Sequence, residues 1–289
     1  IAFAQIGLQP LYFGTTAEAL QLAEKLVGSG VTVSNATFTG TISNAGTGQG
    51  ANCGLFSNGN SSLGLSAGIV LSSGNIADLP VNNGGSNSKD WSAGGDVTLT
   101  AVVGAQTYDA IGLQFDFIPD GNYISFRYVW GSDEYNEYVG SNFNDAFAFY
   151  LTSLDLDGYG YNNKNIALIP GTSSVVSINN VNKTTNSSYY RDNESGAISI
   201  EPDGMTIALN ASAAVKACSR YRLKIVIGDV ADHSLDSWVF IEEKSFNSST
   251  LSNVSLTFNP ISAGTNAVEG CNTISCRFTL GAPAEAGGR

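Results

Sequence analysis

The first periodic segment of the chain has the spacing of an amphipathic helix. Thr15 with Glu18 three residues later forms a capping-box pattern, and Gly28 follows the last apolar position. The apolar residues between them recur at intervals of three and four: Ala19, Leu22, Ala23, Leu26 and Val27. The pattern predicts one peripheral helix at about residues 15–28.

After Gly28, short apolar or alternating runs are separated by Gly, Asn, Ser and Asp, which is typical of β-strands joined by turns. The predicted strands are 31–39, 67–72, 97–102, 110–117, 122–131, 145–152, 165–170, 174–178, 205–211, 219–228, 236–242 and 252–258. So many short strands with one N-terminal helix indicate an all-β fold, a two-sheet sandwich of jelly-roll type. We expect the sandwich to span 15–258.

The two ends of the chain differ from this central segment. Residues 1–14 fit either a signal-peptide remnant, with the small-residue pattern Ala2-Phe3-Ala4, or a plain edge strand. Residues 259–289 are interpreted as a linker and the truncated start of a following module, because so short a tail cannot form a core.

Composition favours a secreted protein. Only 13% of the residues are charged, the net charge is −12 and the pI is about 4.3, which argues against nucleic acid or an anionic membrane as a partner. No run of about 20 apolar residues could span a bilayer. Four cysteines allow three full disulfide connectivities; the preferred one joins Cys271 to Cys276 and Cys53 to Cys218.

One motif suggests hydrolase chemistry. Gly64 to Gly68 matches the G-x-S-x-G elbow around Ser66, and the single histidine, His233, follows in the expected order. However, a polar loop precedes the serine and a predicted strand follows it, whereas an elbow requires a strand and then a helix. We therefore expect no catalysis by Ser66 or His233.

Two acidic segments lie where predicted strands end, and they contain the candidate metal ligands Asp133, Glu134, Glu137, Asp145, Asp229, Asp232 and Asp236. Carboxylates in loops at strand ends suit Ca²⁺, which takes six to eight oxygen ligands. The sequence therefore predicts a Ca²⁺ site where the two loops converge. The alternatives are solvated acidic loops or, less favoured, a pair of glycosidase carboxylates.

Five stretches resemble the choice-of-anchor L domain, a module of secreted bacterial surface proteins. The first is the predicted helix with LVGSGVTVSNATFTG (26–40). The others are CGLFSNGNSSLGLSAGIVLSSGNI (53–76), LQFDFIPDGNYISFRYVWGSDEYNEYVGSNFNDAFAFYL (113–151), NIALIPGTSSVVSINNVN (165–182) and YRLKIVIGDVADHSLDSWVFIEEKSF (221–246). VEGCN (268–272) resembles the opening of an Ig-like module of Bacteroidota proteins. The resemblance implies attachment or display on the cell surface without an established catalytic role.

Two non-enzymatic functions therefore compete. The first is a calcium-stabilised module that binds an extracellular surface or ligand, for example a carbohydrate. The second is a structural subunit of an extracellular filament that self-assembles by β-strand pairing. A glycoside or ester hydrolase is a more distant third hypothesis.

Overall fold

The structure is a computed structural model that describes residues 5–40, 42, 50–80 and 87–249, and the backbone of 253–259 and 273–279. The α-helices are α1 (Thr16–Leu26) and α2 (Val97–Val103). The strands are β1 (Gly7–Pro10), β2 (Val31–Gly40), β3 (Cys53–Ser57), β4 (Ala67–Ser72), β5 (Thr107–Pro119), β6 (Tyr123–Ser132), β7 (Ala146–Ser153), β8 (Lys164–Asn165), β9 (Tyr190–Asp192), β10 (Gly204–Thr206), β11 (Leu209–Ala214), β12 (Tyr221–Val230), β13 (Ser237–Glu242), β14 (Asn247–Ser249), β15 (Asn253–Asn259) and β16 (Thr273–Thr279).

Two antiparallel sheets make up the body of the fold. The nine-stranded sheet has the order β1-β3-β4-β13-β6-β10-β9, with β11 and β14 also paired to β6. The five-stranded sheet has the order β2-β5-β12-β7-β8, and β15 pairs with β16 in a separate ribbon. The all-β two-sheet prediction is confirmed, whereas the jelly-roll connectivity stays a prediction.

Aromatic side chains fill the space between the two sheets. Phe126 of β6 lies edge-to-face against Phe149 of β7, with ring centroids 5.0 Å apart, and Tyr128 contacts the same Phe149 ring at 5.0 Å. Phe246 packs edge-on against Phe117 of β5. Offset and edge-on rings of this kind add to the free energy that their burial alone provides.

The outer faces of both sheets are also covered. Ile6 and Leu63 pack with Val70 and Phe240 on the nine-stranded sheet. Leu99 of α2 packs with Tyr150 and Val226 on the five-stranded sheet. Strands buried on both faces lack the apolar–polar alternation of half-exposed strands, which explains the continuous apolar runs in β4 and β13.

The predicted helix is present, and its capping box is formed: the Thr15 hydroxyl accepts from the Glu18 amide at 3.1 Å, and the Thr15 amide donates to the Glu18 carboxylate at 3.0 Å. The strand prediction over 97–102 is wrong, because this segment forms α2. Asp96 caps it by accepting from the Thr98 and Leu99 amides, and Gly104 ends it at φ 74°.

Three further predictions need correction. Only Asn165 of the predicted strand 165–170 lies in a strand, β8, and 174–178 makes isolated bridges alone. The pairing of Cys53 with Cys218 is wrong, since both are free thiols. Cys53 lies buried in β3 and Cys218 is exposed before β12; the Cys271–Cys276 prediction lies outside the described side chains.

The first strand shows that part of residues 1–14 belongs to the nine-stranded sheet. Residues 7–10 pair antiparallel with β3, with Leu8 opposite Phe56, so this segment forms an edge of the chain's own sheet. The predicted small-residue pattern at 2–4 lies outside the described residues.

Candidate metal centre at the acidic edge

The strand registers bring the two predicted acidic loops to the same end of the sandwich. Ser132, the last residue of β6, pairs with Ser237, the first residue of β13. Gly228, near the end of β12, pairs with Ala146, the first residue of β7. The loops that connect these strands therefore emerge side by side. We call the seven predicted ligands the acidic edge.

Hydrogen bonds connect the two loops directly. The Asp133 amide donates to the Asp236 carbonyl at 3.1 Å. The Asp145 carboxylate accepts from the Val230 amide at 3.0 Å and from the Ser237 hydroxyl at 2.9 Å. The predicted convergence of the loops is present in the structure.

Burial divides the acidic edge into two groups. Glu137 is exposed and Asp232 is half-buried. The other five carboxylates are buried, with at most 2% of their surface exposed: Asp133, Glu134, Asp145, Asp229 and Asp236. Buried carboxylates are rare in proteins unless they are paired with a cation or a metal ion.

Among the described residues, no basic side chain compensates the charge of these carboxylates. In the part of the chain that the structure describes, none of the seven carboxylates lies within 4.0 Å of a Lys, Arg or His nitrogen. Several oxygens also lack a hydrogen-bond partner among the described residues: both of Asp229, Oε2 of Glu134 and Oδ2 of Asp236.

Burial and mutual repulsion both favour the protonated forms. Burial, reinforced by the negative charges of Asp145, Asp232 and Glu137, raises the pKa of Glu134 to about 9. Burial raises the pKa of Asp236 to about 6.

The pKa values of the other three buried carboxylates also rise well above their ordinary range, and burial is the main cause for each: Asp133, Asp145 and Asp229. The Ser73 hydroxyl offsets part of the rise in the pKa of Asp229, although it makes no hydrogen bond of normal geometry.

An extended strap, residues 87–93, lies across the acidic edge and was not predicted. The amide of every second residue donates to a carboxylate: Asn87 to Asp133 at 2.9 Å, Lys89 to Asp236 at 2.9 Å, and Trp91 and Ala93 to Asp109 at 3.2 and 2.7 Å. From Asn87 to Trp91 this alternation resembles that of a β-strand, with carboxylates in place of the carbonyls of a neighbouring strand. The chain then turns at Ser92, which has φ 52° and donates its amide back to Asp90.

Asp109 and Asp90 are the acidic residues that sequence reasoning missed. Asp109 is buried in β5, and its carboxylate lies 3.0 Å from Nδ1 of His233. Asp109 directly precedes the apolar run Ala110 to Leu113 of β5, which was the one available signal, since a carboxylate beside a buried run is rarely buried without a partner.

A cleft opens beside the carboxylates, with a volume of about 430 Å³. Its lining combines acids, hydroxyls and two apolar side chains: Ser88, Asp133, Glu134, Glu137, Tyr138, Asp232, Ser234 and Leu235. The Phe143 ring packs edge-on against Tyr138, one of the lining residues, with centroids 5.5 Å apart.

The structure separates the two residues of the suspected hydrolase motif. Ser66 precedes β4 at the end where Gly68 pairs with Glu242, whereas His233 precedes the opposite end of β13. The two ends of a six-residue strand lie roughly 17 Å apart, too far for a serine and histidine to share a proton.

The model of the Choice-of-anchor L domain matches residues 12–247 of the 289-residue chain. The chain belongs to this family. No curated protein and no solved structure matches the chain. The family is one of non-enzymatic surface domains, so the chain is a module of an extracellular or cell-surface protein. None of the helices that the structure describes has the length and apolarity needed to cross a membrane.

Proposed function

We propose that this domain is a calcium-stabilised adhesion module, in which Ca²⁺ at the acidic edge supports an extracellular ligand site in the adjoining cleft. The observation that carries the proposal is the set of five buried carboxylates without a basic partner among the described residues. Ionised carboxylates in such surroundings are costly, so the folded protein must take up either protons or a cation there.

Calcium suits the carboxylate oxygens that lack a hydrogen-bond partner among the described residues. These oxygens of Asp229, Glu134 and Asp236 are hard donors, and Ca²⁺ completes its shell with backbone carbonyls and water. The seven carboxylates, all of which belong to the described residues, do not converge on one ion. No three of them have oxygens within 4.8 Å of one another. The ion would therefore use a subset, centred on the buried members.

The cleft favours a polar ligand with hydroxyl groups. Its acids and serines can accept or donate hydrogen bonds, and Tyr138 and Leu235 offer apolar surface to the less polar face of a sugar. A carbohydrate of an extracellular surface has both kinds of group. The expected origin in a Bacteroidota surface protein, with an Ig-like module after the domain, agrees with this proposal.

Calcium titration calorimetry on the chelator-treated protein tests the proposal, with thermal unfolding measured in parallel. Wild type should bind Ca²⁺ and unfold at a higher temperature in its presence, because a ligand that binds only the folded state stabilises it. Asp229→Asn should lose most of both effects. Glu24→Gln, which removes an exposed carboxylate from α1, is the matched control and should behave like wild type.

A glycan array with Ca²⁺ and with chelator then tests the ligand. Calcium-dependent retention that Tyr138→Ala abolishes would support carbohydrate binding. Equal melting temperatures with Ca²⁺ and with chelator would contradict the calcium proposal, whereas Ca²⁺ binding without any retained glycan would contradict the carbohydrate alone.

A further inference from the structure

A second group of metal-ligating side chains lies outside the acidic edge. Nδ1 of His233 lies 3.0 Å from Oδ2 of Asp109 and 3.4 Å from Oδ1 of Asp90. Among the described residues, this is the group in which three ligand atoms come within 4.8 Å of one another. The three residues come from three segments: the strap, β5 and the loop 231–236.

We infer that Asp90, Asp109 and His233 form a binding site for a divalent transition-metal ion of the Zn²⁺ or Mn²⁺ type. Zinc binds imidazole nitrogen and carboxylate oxygen at about 2.0–2.2 Å in a tetrahedral arrangement, so neighbouring ligand atoms on one ion lie about 3.3–3.6 Å apart. The distance of 3.4 Å from Nδ1 to Asp90 falls in this range, and the distance of 3.0 Å to Asp109 is slightly shorter. One nitrogen and two oxygens suit a borderline metal better than they suit Ca²⁺, which takes oxygen ligands.

A simple histidine–carboxylate hydrogen bond does not account for the approach of both carboxylates to one nitrogen. Nδ1 carries at most one proton, which points toward one acceptor, and Asp109 at 3.0 Å satisfies it. The Asp90 Oδ1 at 3.4 Å is beyond the usual N–H···O range of 2.7–3.2 Å. Because this Oδ1 also accepts from the Ser92 amide at 2.5 Å and the Ser92 hydroxyl at 3.2 Å, the ion would replace one of these bonds or bind the other oxygen of Asp90. A metal ion would hold both oxygens and the nitrogen with one charge, which a single proton does not do.

The surroundings hold the ligands in place. Both oxygens of Asp109 accept backbone amides, from Trp91 and Ala93, and each keeps a lone pair for an ion. The His233 ring lies against the Tyr108 ring, with centroids 4.3 Å apart. Hydrogen bonds and packing of this kind around the ligands orient them and strengthen metal binding.

The local charge supports a cation as well. Asp109 is buried, and apart from His233 no basic side chain of the described chain lies within 4.0 Å of it. The buried Asp229, whose two oxygens lack hydrogen-bond partners within the described residues, lies close enough to interact with Asp109 electrostatically. A divalent ion bound by Asp90, Asp109 and His233 would neutralise the negative charge of the two carboxylates. The imidazole of His233 can do so only in its charged form.

The site would fasten the strap to the loop 231–236. Asp90 belongs to the strap, and His233 follows Asp232 of the acidic edge by one residue. Because Asn87 and Lys89 already donate to Asp133 and Asp236, an ion at the triad would fix the second half of a segment whose first half covers the acidic edge.

The single histidine makes the test specific. Tag-free, chelator-treated protein in excess Ca²⁺ is titrated with Zn²⁺, and the imidazole nitrogen resonances of His233 are followed by NMR alongside calorimetry. The Nδ1 resonance should move on Zn²⁺ addition and return with a chelator. His233→Ala should weaken Zn²⁺ binding at least about tenfold, whereas Glu24→Gln should not change it.

Asp90→Asn provides a second variant that keeps the fold, because Asp90 is exposed and its only other described contacts are with Ser92. It should also weaken Zn²⁺ binding while leaving the calcium response unchanged. An Nδ1 resonance that Zn²⁺ does not move, or equal Zn²⁺ affinity in wild type and His233→Ala, would overturn the inference. Neither result would affect the calcium proposal, which His233 does not enter.

Discussion

The carboxylate of Asp145, at the start of β7, accepts the backbone amide of Val230, at the end of β12, at a distance of 3.0 Å. This bond joins the two acidic loops below the surface, because both residues are buried. It also places a negative charge near Asp229, and this charge adds to the effect of burial, which is the main cause of the raised pKa of Asp229. The five buried carboxylates of the acidic edge are therefore part of the packed interior, and their ionisation must affect folding.

The stability of the metal-free protein should fall as the pH rises from about 4 to 9. Asp236 and Glu134 keep their protons in the folded state up to about pH 6 and 9, while in the unfolded chain they ionise near their ordinary values of 3.8 and 4.5. The folded state thus binds more protons within this window, and stability decreases with pH. Urea unfolding in the presence of chelator, repeated across this pH range, measures the free energy of unfolding at each pH.

Saturating Ca²⁺ should remove most of that decrease, because the ion replaces the protons as the compensating charge. The Asp236→Asn variant in chelator should lose the part of this decrease that falls between about pH 4 and 6.

Below about pH 4 the trend reverses, because Asp116 takes up a proton and loses its ion pair with Arg222. Burial acts to raise the pKa of Asp116, but the Arg222 guanidinium and Asn35 outweigh it and lower this pKa. A flat profile in chelator between pH 4 and 9 would contradict this account.

Gly74→Ala should perturb the acidic edge without removing a carboxylate. A Cβ at Gly74 would overlap the carboxylate of Asp236, which the packing around it holds in place. We expect a loss of about 1–3 kcal/mol in the free energy of unfolding and weaker Ca²⁺ binding. Gly94→Ala is the matched control, since no atom lies within 4 Å of its Cβ; it should change stability by less than about 0.5 kcal/mol. Similar losses in both variants would show that the replacement of a glycine as such, and not the contact with Asp236, decides the outcome.

The sequence predicts the sheets well and the site in part, for identifiable reasons. Alternating or continuous apolar runs set β4, β6 and β13 to within one residue. The run Val97 to Val102 misleads because its β-branched residues favour a strand, while the caps Asp96 and Gly104 decide for a helix. The capping signals were present in the sequence and outweigh the propensities of the residues between them.

The acidic edge was predictable because strand ends in antiparallel sheets meet in space, so loops after β6 and β12 lie together. The strap was not predictable, since residues 87–93 show no hydrophobic period and their register depends on carboxylates distant in sequence. Asp109 was missed for the same reason: its partners Trp91, Ala93 and His233 are assembled only by the folded chain.

The two described thiols should differ strongly in reactivity. Burial, with a smaller effect of the Glu18 charge, raises the pKa of Cys53 to about 12, so its reactive thiolate is scarce at neutral pH. Cys218 is exposed. Iodoacetamide followed by peptide mapping should label Cys218 in the native protein and Cys53 only after unfolding. Cys218→Ser provides the control, and a recovered Cys53–Cys218 disulfide peptide would contradict the free thiols.

Deleting residues 1–10 should destabilise the domain and uncover an edge. Ile6 is 4% exposed and packs in the outer cluster of the nine-stranded sheet, and burial of such a side chain contributes about 1.5–3 kcal/mol. The deletion also exposes the hydrogen-bonding edge of β3, which β1 covers in the full chain. Light scattering should therefore detect self-association of the truncated protein, because open strand edges pair with other chains.

Ile6→Ala separates the two effects, since it removes the side-chain burial and keeps the β1–β3 hydrogen bonds. It should lower the melting temperature without causing association. A synthetic peptide of residues 1–10 added to the truncated protein should restore the monomer by occupying β3. A different result is that the peptide binds and the full-length chain also assembles. This result would indicate strand exchange between copies of the chain, and it would favour the filament hypothesis over the adhesion module. If the deletion changes neither stability nor association, β1 does not contribute to the sheet in solution.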